Sequence, residues 1–123
     1  MTLKECYAAM EGNYEDALLR LRSEKIVQKF VLKFLSDGSY ALLCRAFETK
    51  DQEEAFRAAH TLKGICQNLS FTKLYHSSSL LTESLRSQWT PQTNQLFRQV
   101  EEDYRQTMSA IEQLQKAVTE HAL

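Results

Sequence analysis

The sequence predicts an all-α protein, an antiparallel four-helix bundle with short extra helices at its N-terminus that act as a lid. Three observations predict this fold class. Apolar residues recur at a helical spacing of three or four over most of the chain, whereas the alternation that marks a β-strand does not occur. Only three glycines and one proline interrupt the 123 residues, so the connections are short. At this length we expect one domain over residues 1–123.

The N-terminal segment, residues 1–22, predicts two short helices that lie over one end of the bundle. Asn13 is a favourable N-cap for the second of them. The first bundle helix is predicted over residues 24–36, because Ser23 can cap it and the apolar residues that follow keep i, i+3/i+4 spacing. A turn and a further short helix over residues 40–49 come next, and we place this helix outside the four of the bundle.

The remaining bundle helices are predicted over residues 51–69, 73–88 and 91–120. The first begins at the favourable N-cap Asp51, the other two follow the caps Thr72 and Thr90, and Pro91 occupies the first position of the last helix. Two or three residues connect the second bundle helix to the third, which makes these two helices antiparallel neighbours.

Composition narrows the function classes. Hydrophobic residues make up 43% and charged residues 25% of the chain, as in ordinary soluble domains. The net charge of −1 argues against broad nucleic-acid binding, which needs a basic face. No apolar run approaches the ~20 residues of a membrane span, and the N-terminus lacks a signal-peptide pattern. Three scattered cysteines indicate a reducing compartment. We therefore expect a cytoplasmic protein with neither membrane nor nucleic-acid partners.

The second bundle helix carries an unusual outer face. If Leu62 marks the centre of the buried stripe, His60 lies about 160° away on the solvent side. Phe56, Lys63 and Gly64 share that side, although a mid-helix glycine costs about 1 kcal/mol relative to alanine. Imidazole is a nucleophile, lysine can hold a phosphoryl oxygen, and glycine leaves room for a second protein. The predicted buried stripe comprises Ala55, Ala58, Ala59, Leu62, Ile65, Cys66 and Leu69.

The segment from His60 to Gly64, HTLKG, resembles the HxLKG signature of histidine-containing phosphotransfer (HPt) domains. The similarity continues through residues 55–59 before the signature and through Asn68, Leu69 and Leu74 after it, and the whole chain resembles the bacterial branch of the family. One departure is Ser70, which stands where the family usually has a glycine that ends the helix or eases the turn.

The resemblance implies a phosphorelay. A receiver domain, from a response regulator or a hybrid histidine kinase, would bring an aspartyl phosphate and Mg²⁺. A ring nitrogen of His60, most simply Nε2, would accept the phosphoryl group, Lys63 would neutralise its charge, and a second receiver's aspartate would take it on. The chain itself would bind no cofactor and would have no ATP-dependent kinase activity, since it lacks a glycine-rich nucleotide loop. It also lacks the Glu-x-x-His pairs of a bundle metal site. We expect a monomer.

Three residues of the outer face are candidates for contact with the receiver. Phe56 would form the apolar part of the docking patch, packed partly under Tyr7 or Met10 of the lid, since exposed aromatics often anchor interfaces. Arg57 and Gln67 would add polar contacts. Each of the three could equally be a plain surface residue.

Thr82 is the candidate for orienting the histidine, because antiparallel pairing of the two helices brings it to about the level of His60. An ordinary structural role for Thr82 stays open. The alternative function for the whole chain is a non-catalytic helical adaptor that docks signalling proteins. Loss of the histidine would mark such an adaptor, whereas this chain keeps His60, Lys63 and Gly64.

Overall fold

The computed structural model describes residues 1–122, and within them every regular element is helical. The predicted all-α fold class is confirmed. The last helix extends beyond its predicted end, and none of the helices in the described range combines the length and apolarity needed to span a bilayer. The elements are α1 (Leu3–Ala9), α2 (Tyr14–Leu21), α3 (Glu24–Lys33) with a 3-10 turn (Phe34–Ser36), α4 (Ser39–Glu48), α5 (Gln52–Leu69), α6 (Thr72–Ser87) and α7 (Pro91–Ala122).

Local sequence explains where several helices begin. The Asp51 side chain accepts a hydrogen bond from the Glu54 backbone N–H at 3.1 Å and so caps α5. At α1 the hydroxyl of Thr2 and the carboxylate of Glu5 form a reciprocal capping box. Asn13 caps α2, as predicted, by accepting the Asp16 N–H at 3.0 Å.

The four helices of the bundle are α4, α5, α6 and α7, which corrects one prediction. Residues 24–36 were expected to supply the first bundle helix, but α4 packs along α5 far more extensively than α3 does. Leu43 and the small Ala46 of α4 are buried and allow this close approach. Aromatic stacking also joins α4 to α7, with ring centroids 3.7 Å apart for Tyr40 and Tyr104. The α3 helix buries Val27 and Val31 and makes only a few contacts with α5 and α7.

The helices α1 and α2 form a cap at the end of the bundle where α5 turns into α6, which confirms the predicted lid. The Tyr7 hydroxyl donates to the Leu69 carbonyl at 2.7 Å. The backbone N–H of Asn13 donates to the Ser70 carbonyl at 2.9 Å. The rings of Tyr7 and Phe71 also pack edge-on, with their centroids 5.8 Å apart. The cap therefore fixes the C-terminal end of α5.

Ser70 adopts the left-handed conformation that the family's glycine would adopt without strain, with φ 58° and ψ 41°. Its hydroxyl donates to the Asp16 carboxylate at 2.6 Å. That hydrogen bond, followed in importance by the one from Arg20, lowers the pKa of Asp16. The turn is thus kept despite the missing glycine because a carboxylate of the N-terminal cap holds the serine in place.

Candidate functional site

The α5 helix separates a buried stripe from an exposed face, largely as its sequence predicts. Ile65 is the exception, since it lies at the edge of the stripe and is only half-buried. On the outer side His60 and Gly64 are exposed and Lys63 is half-buried. A Cβ atom added at Gly64 would have no neighbour within 4 Å. The histidine therefore stands beside an open stretch of helix that a second macromolecule can approach. The residues buried along the stripe are Ala55, Ala58, Ala59, Leu62, Cys66 and Leu69.

Phe56 lies beside the histidine but not under the lid. Its ring is half-buried, and its centroid is 5.8 Å from that of His60. The predicted cover by Tyr7 or Met10 is wrong, because the cap sits at the opposite end of α5, where Tyr7 hydrogen-bonds Leu69. What covers Phe56 instead is Arg86 of α6, whose guanidinium carbon is 5.0 Å from the ring centroid.

Two charged residues of α6 complete the surroundings of the histidine. Arg86 donates to both carboxylate oxygens of Glu83, each at 3.2 Å. This hydrogen bonding is the main cause of the lowered pKa of Glu83, and the charges of Lys63 and His60 add to it. Through its hydrogen bonds with Arg86, which covers Phe56, Glu83 is held on the side of α6 next to α5. Sequence reasoning did not single out Glu83 or Arg86, although the short connection between α5 and α6 sets the register that brings them there.

The predicted contact between Thr82 and the histidine is contradicted. Thr82 is fully buried, and its hydroxyl donates to the Ser78 carbonyl of its own helix at 2.7 Å. The predicted position along α6 is off by one residue, and a shift of one residue turns a helical side chain by about 100° around the axis. Thr82 consequently points into the core, and Glu83 faces α5.

The two other candidate docking residues are exposed. Arg57 forms ion pairs within α5, at 3.2 Å with Glu53 and at 2.8 Å with Glu54. Gln67 lies on the exposed face two turns beyond His60. Exposed ion pairs contribute little to stability, so the guanidinium of Arg57 is free to exchange its partners.

The buried cysteines are poor candidates for a reactive site. Cys6 and Cys66 are buried, and burial raises the pKa of the Cys6 thiol to about 11 and that of Cys66 further. Thiols in such surroundings stay protonated and are weak nucleophiles. Within residues 1–122 no three His, Cys, Asp or Glu side chains come together as a set that could hold a metal ion. Imidazole can act as a nucleophile, and the imidazole of His60 is exposed on this face.

Comparison with known proteins identifies a family for this chain. The family model described as "Hpt domain" matches residues 36–120, more than half of the chain, so the chain belongs to the Hpt domain family. Searches of curated proteins and of solved structures returned no match. The matched range contains α4 to α7, the four helices of the bundle, whereas α1, α2 and α3 precede it. Members of this family are phosphotransfer intermediates of two-component systems and are not kinases, so the chain has a phosphotransfer role.

Proposed function

We propose that this chain relays a phosphoryl group between the aspartates of two receiver domains through a phosphohistidine at His60. One observation carries the proposal: the histidine is exposed on a rigid helix beside Gly64, where even an added Cβ would meet nothing within 4 Å. A residue that must enter the active site of another protein needs this open approach. The half-buried Lys63, one turn further along, stands where a cation can meet a phosphoryl oxygen.

The proposed reaction balances without ATP. The lone pair on Nε2 of His60 attacks the phosphorus of an aspartyl phosphate on the donor receiver. The P–N bond forms as the P–O bond to the aspartate breaks, and the electron pair leaves with the carboxylate. The ring keeps its proton on Nδ1, and Lys63 offsets part of the phosphoryl charge. In the second step the acceptor's aspartate attacks phosphorus, and the imidazole leaves as the neutral nucleophile it was at the start.

The Mg²⁺ ion in this proposal belongs to the receiver, which holds it with its own carboxylates, and this chain contributes none of its ligands. Partners are receiver domains of response regulators or of hybrid histidine kinases. Phe56, Arg57 and Gln67 flank the histidine on the exposed face and are proposed to contact the receiver. A monomer in the cytoplasm would suit a carrier that meets two partners in turn.

Transfer of radiolabelled phosphate from a phosphorylated receiver tests the proposal. His60→Gln should abolish labelling and keep the helical circular dichroism, because an exposed position tolerates the change. His76→Gln is the matched control, since His76 is an exposed histidine on the neighbouring helix α6. Labelling of the wild type should be lost in acid and kept in alkali, as expected for a phosphoramidate. Normal transfer by His60→Gln would refute the assignment and favour the adaptor function.

A further inference from the structure

The helix α3 carries a face that the bundle does not use. Five of its six exposed residues occupy one arc of about 140° on the helical wheel, opposite the buried Val27 and Val31, and Glu24 lies outside this arc. Ile26 is 42% and Phe30 39% exposed, and their i, i+4 spacing places these two large apolar side chains next to each other on the surface. We name this surface the α3 face, and it consists of Lys25, Ile26, Lys29, Phe30 and Lys33.

The charge of the α3 face is uncompensated. Lys25, Lys29 and Lys33 recur at i, i+4 and i+8 and are all exposed. Ion pairs within 4.0 Å in residues 1–122 involve other basic residues, namely Lys4, Arg20, Arg57, Lys73 and Arg86. In a chain whose net charge is −1, this row is a local concentration of positive charge. Basic side chains interleaved with exposed apolar ones suit a partner with an acidic surface.

The α3 face continues into the exposed face of α5. Phe30 and Lys33 line a groove of about 220 Å³ together with Ile65 and Asn68 of α5. Asp37 also lines this groove, but its carboxylate accepts the Ser39 backbone N–H at 3.0 Å as a helix cap. The half-buried Ile65 directly follows the open Gly64. The groove thus joins the lysine row to the surface around the histidine.

Distances allow one partner to cover both regions. Asn68 is eight residues from His60, about 12 Å along the helix axis. A standard interface buries about 800 Å² on each partner, equivalent to a disc about 32 Å across. The disc's radius of about 16 Å exceeds this distance, so a partner centred on the histidine would reach the groove and the end of the α3 face that lines it, at Phe30 and Lys33.

We propose that the α3 face is part of the receiver-docking surface and that its lysines recognise acidic residues at the rim of the receiver's surface, away from the aspartyl phosphate. This inference rests on the proposed function. The groove favours the receiver as the occupant, because it continues the α3 face into the exposed face of α5, where a receiver must meet His60. The three exposed lysines favour an acidic rim on that receiver. Since α3 precedes the range matched by the family, the helix would let this chain select among receivers that all fit the common bundle.

The test measures kcat/KM for phosphotransfer from one receiver at several salt concentrations. The receiver is the one with the fastest transfer among purified receiver domains of the same organism, each phosphorylated with acetyl phosphate and Mg²⁺. Lys29→Glu/Lys33→Glu should lower kcat/KM about tenfold or more at low salt, and high salt should narrow the difference. Arg105→Glu/Lys116→Glu is the control, because it makes the same charge change at exposed positions of α7, diagonal to α5.

Phe30→Ala tests the apolar part of the α3 face. It should lower kcat/KM about tenfold with little dependence on salt, whereas Leu19→Ala, at an exposed leucine of α2, should change it less than twofold. Circular dichroism confirms that each variant is folded.

The outcomes separate the two proposals. If the wild type accepts phosphate from none of the receivers, the proposed function itself is refuted. Wild-type transfer that the α3 variants leave unchanged would overturn the docking inference alone.

Vesicles of phosphatidylserine and phosphatidylcholine test the competing use of a basic face. Sedimentation of the wild type with these vesicles, lost in the lysine variant while phosphotransfer stays normal, would likewise overturn the docking inference.

Discussion

Replacing Gly64 by alanine should make the protein more stable. Gly64 lies in the middle of α5, is exposed, and does not have the positive φ that would require glycine. An added Cβ would meet no atom within 4 Å, so no steric penalty opposes the change. Alanine is better than glycine in a helix interior by about 1 kcal/mol. With a urea slope of about 2 kcal/mol per M, the unfolding midpoint should rise by about 0.5 M.

Gly12 provides the matched contrast. A Cβ at that position would lie 2.9 Å from Cδ2 of Tyr7 and 3.0 Å from the Ser70 carbonyl oxygen. Neither group can move easily, since the Tyr7 ring is buried and its hydroxyl bonds Leu69. Gly12→Ala should therefore destabilise the protein by about 1–3 kcal/mol, as overpacking commonly does. Urea titrations followed by far-ultraviolet circular dichroism give both free energies of unfolding.

A glycine that costs stability at an exposed position needs a reason outside the fold. If that reason is the approach of a receiver, Gly64→Gln should stay folded and accept phosphate much more slowly than Gly64→Ala. Loss of stability in Gly64→Ala would show that the glycine is needed for packing. A normal rate of transfer to Gly64→Gln would show that position 64 lies outside the docking surface.

Three further predictions concern residues around the site and the cap. Phe56→Ala should weaken receiver binding by ~1–3 kcal/mol in calorimetric titration. It should lower the free energy of unfolding by less than the ~3–5 kcal/mol that truncation of a buried phenylalanine costs, and a loss of that size would contradict its half-buried position. Ser70→Ala should be destabilising at neutral pH. Because folding lowers the pKa of Asp16, the stabilisation from its hydrogen bond is complete above the unfolded-state pKa and is lost as the pH falls through the folded-state pKa. The free energies of unfolding of wild type and variant should therefore converge at acid pH, and a constant difference between them would refute the role of Asp16. Glu83→Gln removes an anion facing His60 and should shift the phosphotransfer equilibrium towards the phosphohistidine, with Glu112→Gln on α7 as the charge control; equal shifts in both variants would refute the specific role.

Periodicity predicted the helices well because each buries one stripe, and an i, i+3/i+4 pattern records that stripe locally. The choice of the fourth bundle helix failed for the opposite reason. Both α3 and α4 carry apolar stripes, and only tertiary packing decides between them: α4 packs along α5 and stacks two aromatic rings on α7. The position of the lid was likewise predictable only in part. The sequence shows two short helices, but Tyr7 meets Leu69 through a hydrogen bond that spans 62 residues of chain.

The site shows the same limit at the scale of one residue. The antiparallel register gave the right level on α6, yet a one-residue offset decides whether a side chain faces the core, as Thr82 does, or α5, as Glu83 does. The histidine itself was predictable because its exposure follows from the wheel of its own helix. Small buried residues of the same helix, Ala55 and Ala59, let the neighbouring helices pack closely, so His60 projects from a firmly held helix. A relay requires this arrangement, since donor and acceptor must reach the same ring nitrogen in turn, and a covering lid would have to open twice.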